Sequence, residues 1–365
     1  MAASDDVVTV LFANNYDMAR ARAGWRAGTY PAHHLYGTAG LGAGFEVVDL
    51  PYRADDRAAR LTRLTRHRLG DLGQELAATR SRRRGAGGGA VVYGAAAQEL
   101  RALVALRAAR AFSTPIVGVF HSPPSPGRLR AGALRGFDRA IALSEHTRRG
   151  MIDAGIAPGR IAVLAWGADL DFAGFAPRPP AAADAPVVAT GKTGRDLGTL
   201  LAALRATGLP ARVYGDRGEL SRSGPLPETV SIEPVLADDR SSAPLRYDER
   251  VTAHLRSAAL VAIPLLDVDR LTGLTEVVDA LACGRPMILT RSPYFDFDIE
   301  RIGCGWWAQA GDARGWGGLL TEAMRDRERL DAMGRAGREW AERHLNARLF
   351  AEGVRGALLD ALGAE

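Results

Sequence analysis

Asp269-Arg-Leu-Thr-Gly-Leu-Thr-Glu-Val-Val-Asp-Ala-Leu-Ala-Cys-Gly-Arg-Pro-Met-Ile-Leu-Thr290 holds, in order, a strand exit, a helix and the entry to the next strand. Upstream, Ala259 to Leu266 is a short apolar run of the kind that forms a strand buried on both faces. Downstream, Gly284 suits the left-handed end of a helix and Pro286 cannot continue one, so the apolar Met287-Ile-Leu289 starts a new strand. Thr272-Gly273 supplies a cap for a helix beginning near Leu274. At about 100° per residue, Val277, Val278 and Leu281 fall on one face and Thr275, Glu276 and Asp279 on the other. The spacing predicts that the apolar face packs on a sheet and that both carboxylates look outward.

At the N-terminal end of such a helix, backbone N–H groups and the helix dipole attract an anion, and carboxylates a turn further on accept hydrogen bonds from sugar hydroxyls. A diphosphate carrying a ribose fits both. A surface helix with a solvated acidic face fits the same spacing, so this stretch by itself leaves the two readings open.

A chain of 365 residues exceeds one compact core and implies two domains. Its 47% apolar and 24% charged content describes a soluble globular protein. It has no apolar run of about 18 residues, and the start Met1-Ala-Ala-Ser-Asp-Asp6 is acidic where a signal peptide is basic, so the expected location is the cytoplasm. Cys283 and Cys304 lack metal-ligand spacing and read as core thiols.

The net charge of +5 is local. Arg53 to Arg84 carries ten arginines against Asp55, Asp56, Asp71 and Glu75, a balance of +6, which leaves the rest of the chain at −1. This basic helical segment suits an anionic acceptor, a peripheral contact with the inner face of a membrane, or plain solvent. Only His67 interleaves the arginines with a ring, which gives base stacking no support and argues against nucleic acid.

Val7 to Ala13 reads as the first buried strand, followed by a loop carrying Trp25, Tyr30, His33, His34 and Tyr36 among glycines. Flat rings with polar tips suit the faces of sugars, so this loop is a candidate acceptor platform. Further strand candidates are Phe45 to Leu50, Ala90 to Gly94, Pro115 to His121, Arg139 to Ser144 and Ile161 to Ala165. Pro177 to Pro186 reads as the linker. The plan then repeats with Val187 to Gly191, Ala211 to Asp216, Val230 to Val235, Leu260 to Ile263, Met287 to Thr290 and Gly305 to Ala308. Strands alternating with helices imply parallel, doubly wound sheets that bind ligands at the carboxyl ends of their strands. The expected division is 1–180 and 181–345, with a C-terminal helix over about 345–365 packing back on the first domain. The default site is the cleft between two such domains.

Of 47 basic residues only one is lysine, Lys192. It lies in Thr190-Gly-Lys-Thr-Gly-Arg-Asp196, after a strand and before the helix that starts at Leu197. An ammonium and the Arg195 guanidinium at a glycine-flanked helix start can neutralise a diphosphate. The P-loop pattern is absent, because no glycine lies five residues before Gly191, which disfavours ATP hydrolysis.

Thr272 to Pro286 resembles the signature of the retaining glycosyltransferases of the GT-B fold, most closely the family 4 group: a glycine, an acidic residue, then Ala-x-Ala-x-Gly-x-Pro. Thr190 to Leu200, Trp166 to Asp171, Phe120-His-Ser-Pro-Pro124 and Gly303-Cys-Gly305 with Gly311-Asp312 support the resemblance over nearly the full length. It implies two Rossmann-like domains facing across a cleft, and transfer from a nucleotide-diphosphate-sugar to a small-molecule, saccharide or lipid-linked hydroxyl acceptor. It implies retention, with the leaving phosphate taking the acceptor proton, and neither a metal nor a further cofactor. By position, Gly191, Lys192 and Arg195 contact the donor diphosphate. The amides of Gly273, Leu274 and Thr275 face the phosphates, Asp279 stands at the ribose, and His121 lies near the reacting sugar. Catalysis then rests on His121, Lys192, Arg195 and Glu276. The family's second glutamate, eight residues before Asp279, is replaced here by Leu271, and Glu276 or Asp269 is the expected substitute.

Asp267-Val-Asp269 has the Asp-x-Asp form that holds a divalent cation against a diphosphate in glycosyltransferases of another fold. A nucleotide-sugar epimerase of the same fold and a non-catalytic nucleotide-sugar-binding protein are the remaining alternatives.

Overall fold

The computed structural model describes residues 7–52, 64, 70–81, 89–125, 132–175, 182, 184–191, 193–215, 220, 224–233 and 249–363. The readings placed on Lys192, on most of the basic segment 53–84 and on much of the linker 177–186 lie outside the described residues.

Each apolar run forms a strand. The first sheet comprises β1 (Val8–Ala13), β2 (Phe45–Asp49), β3 (Ala90–Gly94), β4 (Ile116–Phe120), β5 (Arg139–Ala142) and β6 (Ile161–Val163). Its order is β2-β1-β3-β4-β5-β6, with every neighbouring pair parallel. The second comprises β7 (Val187–Ala189), β8 (Ala211–Tyr214), β9 (Val230–Glu233), β10 (Leu260–Ile263), β11 (Met287–Thr290) and β12 (Gly305–Ala308). Its order is β12-β11-β10-β7-β8-β9, again all parallel. Parallel neighbours need crossover connections, and helices in those crossovers cover both sheet faces. This is why central strands such as β4, β10 and β11 are buried along their whole length, while the edge strands β2 and β6 are only half-buried.

The chain divides into two Rossmann-like units: among the described residues, 7–166 with 347–363 form one, and 167–346 the other. The core of the first gathers Leu11, Val92, Leu103, Ile116, Phe120 and Phe137. A bidentate Arg107–Asp138 pair, at 2.7 and 3.0 Å, ties the helix Arg101–Ala108 to the amino ends of β4 and β5. The last helix, Ala347–Leu362, packs on β3, β4 and β5. In the second unit the core gathers Val187, Leu200, Leu204, Val213, Leu260, Ile288 and Trp316.

The break falls at Trp166–Gly167, where the sequence pointed to 180–181. The reason is local pairing. Ala168 bridges to Asn346, and Phe175 lies in a short turn packed on the helix Glu249–Ser257, so 167–175 belong to the second unit.

The helix Leu274–Ala282 departs from its expected two-faced character: every residue from Glu276 to Ala282 is buried. Glu276 and Asp279 are 8% and 4% exposed, so neither looks outward into solvent. Its second cover is the helix Arg327–His344, where Gly337 lies against Leu281 and Cys304 and the Arg338 guanidinium donates to the Ala282 carbonyl at 2.6 Å. That arginine satisfies a terminal carbonyl and opposes the negative end of the helix dipole. Gly284 takes the left-handed conformation expected of it, φ +62°. Cys283 and Cys304 are buried free thiols, and burial pushes both up, Cys304 to about 12.

Candidate functional site

In the second sheet β7 and β10 are neighbours, and the chain winds away from them in opposite directions. Loops leaving the carboxyl ends of such a pair form the ligand crevice of a doubly wound sheet. Here those loops are 190–196 and 264–273, and they are joined to each other. Asp196 N–H donates to the Pro264 carbonyl at 3.0 Å and Leu266 N–H to the Gly194 carbonyl at 3.0 Å, which makes Arg195 and Leu265 an antiparallel bridge. Gly194 has φ +67°, and a Cβ there would meet Thr272 Cγ2 at 2.8 Å, so glycine is required both by conformation and by the approach. Thr290, at the end of β11, accepts the Leu265 N–H at 2.9 Å and fixes the second loop from below.

Gly273 is the N-cap residue of the helix Leu274–Ala282, in the left-handed conformation at φ +84°, with no side chain capping the first turn. Thr272 therefore does not cap it, and the amides of the first turn stay directed at whatever occupies the loop mouth. Beside them the Arg195 guanidinium packs against Gly191, so closely that a Cβ at 191 would overlap Nε. Its Nη1–H donates to the Thr193 carbonyl at 2.6 Å, and its Nη2 contacts Glu276 Oε2. The arginine and glutamate side chains are 6% and 11% exposed, an interior ion pair. The structure thus brings Gly191, Arg195, Gly273, Leu274, Thr275 and Glu276 together. Asp279 lies within the buried length of the same helix.

Asp267 and Asp269 are exposed, and Asp269 Oδ1 accepts the Tyr294 hydroxyl at 2.8 Å. Among the described residues no three histidine, cysteine, aspartate or glutamate side chains gather as a metal-binding group.

In the first unit, His121 follows β4, and its Nε2–H donates to the Ala95 carbonyl at 2.9 Å. Burial holds its pKa below the ordinary histidine value, so the ring is neutral and Nδ1 is an acceptor. Tyr36 lies edge-on to it at 5.7 Å and stacks on Trp166 at 5.8 Å. The expected open platform is instead a packed cluster. Tyr30, His33 and His34 are buried, and Trp25 lies half-buried in the helix Met18–Arg26. His33 and His34 rings lie 4.2 Å apart and both meet Trp166, whose indole N–H donates to the His33 carbonyl at 3.0 Å. Burial lowers both histidines, His33 to about 3. Glycines and rings in a loop looked like surface chemistry, but Tyr16 and Tyr93 hydroxyls bind the His34 and Tyr36 carbonyls and pull the loop inward. Only Tyr36 of that set meets His121 in the described ring contacts.

Several positioning residues carry no sequence signal. Gln74 is fully buried and clamps the backbone of Asn14 after β1 through both ends of its amide, at 3.0 and 2.7 Å. Thr290 and Tyr294 are likewise polar residues whose partners are remote in the chain.

Residues 87–172, which include β3 to β6 and His121, match the family model for Glycosyltransferase Family 4. That stretch is similar to a glycosyltransferase family 4 domain. No curated protein sequence matches the chain. Its fold is that of solved GT-B glycosyltransferases. It is similar to sucrose-phosphate synthase of Thermosynechococcus elongatus, at 15% identity and TM-score 0.70 over 98% of this chain and 99% of that one. It is similar to a glycosyltransferase of Rickettsia africae, at 12% identity and TM-score 0.67 over 99% and 100%. HepE of Anabaena, solved in complex with UDP-glucose, matches at 14% identity and TM-score 0.62 over 96% and 99%. No helix among the described residues is long and apolar enough to cross a membrane.

Proposed function

We propose that the protein is a glycosyltransferase, which moves a sugar from a nucleotide-diphosphate-sugar to a hydroxyl acceptor, with retention of configuration and without a metal ion. The observation that carries this reading is the joined pair of loops after β7 and β10, which sets the Arg195 guanidinium beside the uncapped first turn at Gly273. Amides and a guanidinium around one opening suit a diphosphate: they complement the charge that grows on it as the glycosidic bond breaks. HepE, of the same fold, was solved with UDP-glucose, which supports a donor of this class.

In such a transfer the leaving phosphate takes the acceptor proton, so the protein's task is position and positive charge. Lys192 adds the second cation, and Asp279 stands one turn along the helix for the ribose. His121, neutral and accepting at Nδ1, takes a hydrogen bond from a sugar hydroxyl. The acceptor is a small molecule, a saccharide or a lipid-linked saccharide; for the last, the basic segment 53–84 supplies contact with an anionic surface at the cytoplasmic face.

The test is a screen of UDP-, GDP-, ADP- and dTDP-sugars by thermal shift, followed by product mass with an acceptor panel in excess chelator. A new glycoside of unchanged anomeric configuration is the expected result. Stabilisation by none of these donors sinks the reading, and a changed sugar formed without acceptor replaces transfer by epimerisation. Tight donor binding with no turnover over the whole panel points to a binding protein.

A further inference from the structure

We infer that Glu276 serves transfer through Arg195, as the residue that holds its guanidinium in place, and that it does not contact the donor sugar. This rests on the nucleotide-sugar reading and reassigns Glu276 within it.

The guanidinium is held from three sides. Glu276 Oε2 contacts Nη2, the Thr193 carbonyl accepts from Nη1 at 2.6 Å, and Nε fills the space that a Cβ at Gly191 would take. The backbone of Arg195 is pinned as well, through the bridge to Leu265. Nε is buried and makes no hydrogen bond among the described residues. An Arg195 in this setting keeps a charged donor beside the open amides of Leu274 and Thr275. Charge-assisted bonds of that kind to phosphate oxygens are the strong ones.

Glu276 is committed by the same geometry. Its side chain is 11% exposed, and turning its carboxylate toward a sugar hydroxyl would leave Arg195 an interior charge without its counterion. Breaking one partner of a buried pair is far costlier than any single neutral hydrogen bond gained. Glu276 also follows Gly273 by only three residues, within the first turn, so its reach is toward the loop 190–196 that packs there. A carboxylate in this place sets the direction of Arg195.

The experiment measures binding of matched ligands, UDP and UDP-glucose, GDP and GDP-mannose, ADP and ADP-glucose, to the full chain. Wild type, Glu276→Ala, Glu276→Gln, Arg195→Ala and the double variant Arg195→Ala/Glu276→Ala are compared, with circular dichroism and melting confirming that each is folded. The expected result is that Glu276→Ala weakens the nucleoside diphosphate and its sugar by the same factor, about tenfold or more. Glu276→Gln, which still offers an acceptor to Nη2, keeps more of the binding than Glu276→Ala. The double variant is no weaker than Arg195→Ala alone, because both changes remove one unit. A loss confined to the sugar-bearing ligand, losses that multiply in the double variant, or unchanged or tighter binding by Glu276→Ala overturns the inference and leaves the donor reading standing. Failure of wild type to bind any nucleoside diphosphate in the panel overturns both.

Discussion

A single methyl group at position 191 tests the place of Arg195. Gly191 has ordinary backbone geometry, so alanine introduces no conformational strain there. The atoms its Cβ would displace belong to the Arg195 side chain, so the methyl drives the guanidinium off Glu276 and leaves an interior carboxylate without its counterion. Gly191→Ala is therefore expected to lower stability by about 3–5 kcal/mol, as breaking a buried pair does, while transfer falls about 100-fold, the usual cost of losing one donor to developing charge. Steady-state transfer and a melting curve on the same preparation decide it. A near-normal rate would mean that Arg195 does not act where the structure holds it.

At the scale of elements, the joint between the loops after β7 and β10 and the helix Leu274–Ala282 carries the site. Its hinge is Gly273, left-handed at φ +84° with a Cβ position 3.0 Å from Leu265 Cδ2. Alanine in that conformation costs roughly 1–2 kcal/mol, and the contact with Leu265 adds to it. Gly273→Ala is expected to lower stability by about that amount in denaturant titration. It also weakens donor binding more than stability requires, because relaxing the cap turns the first-turn amides away from the opening. Stability loss with donor affinity unchanged would show that those amides do not face the diphosphate.

Across the whole molecule, buried titratable groups define the pH window in which the first unit is stable. Burial holds His33 near 3 and His34 well below its ordinary value, so folding favours their neutral forms. Their contribution is complete above about 6.5 and is lost as pH falls below it, at about 1.4 kcal/mol per pH unit for each. Glu75 has the opposite sign. Burial outweighs the Leu103 and Ala102 amides that bind its Oε1 and raises it to about 8, so its folded form is protonated. Its contribution is present below about 4.5 and is lost as pH rises toward 8. Glu75→Gln keeps the acceptor for both amides and removes the proton. Unfolding at pH 5 and 8.5 should show the variant more stable than wild type by about 2 kcal/mol or more at the higher pH only. An equal difference at both values would refute the protonated carboxyl.

How much of this was legible beforehand follows from the range over which each feature is decided. The strands and their order of winding were legible, because a run such as Leu260–Ile263 or Met287–Thr290 declares itself by apolar content, and Gly284 with Pro286 ends the helix between them. Crossover geometry then forces parallel sheets with their loops at one edge. The positions Gly191, Arg195 and Gly273 were legible for the same reason: they sit where strand meets helix.

Tertiary structure alone decided what the polar residues do. A helical wheel places Glu276 and Asp279 on an outer face, but a wheel has no knowledge of a second cover, and the helix Arg327–His344 with the loop 190–196 removes that face from water. The same holds for His33 and His34, whose loop resembled a surface platform until Tyr16, Tyr93 and Trp166 fastened it inward. Hydrophobic period is a local property of the chain, so sequence by itself determined two doubly wound sheets and the edge at which their strand-to-helix loops gather. The partner of a buried charge is chosen by packing between segments far apart in the chain, so only the fold could join Glu276 to Arg195.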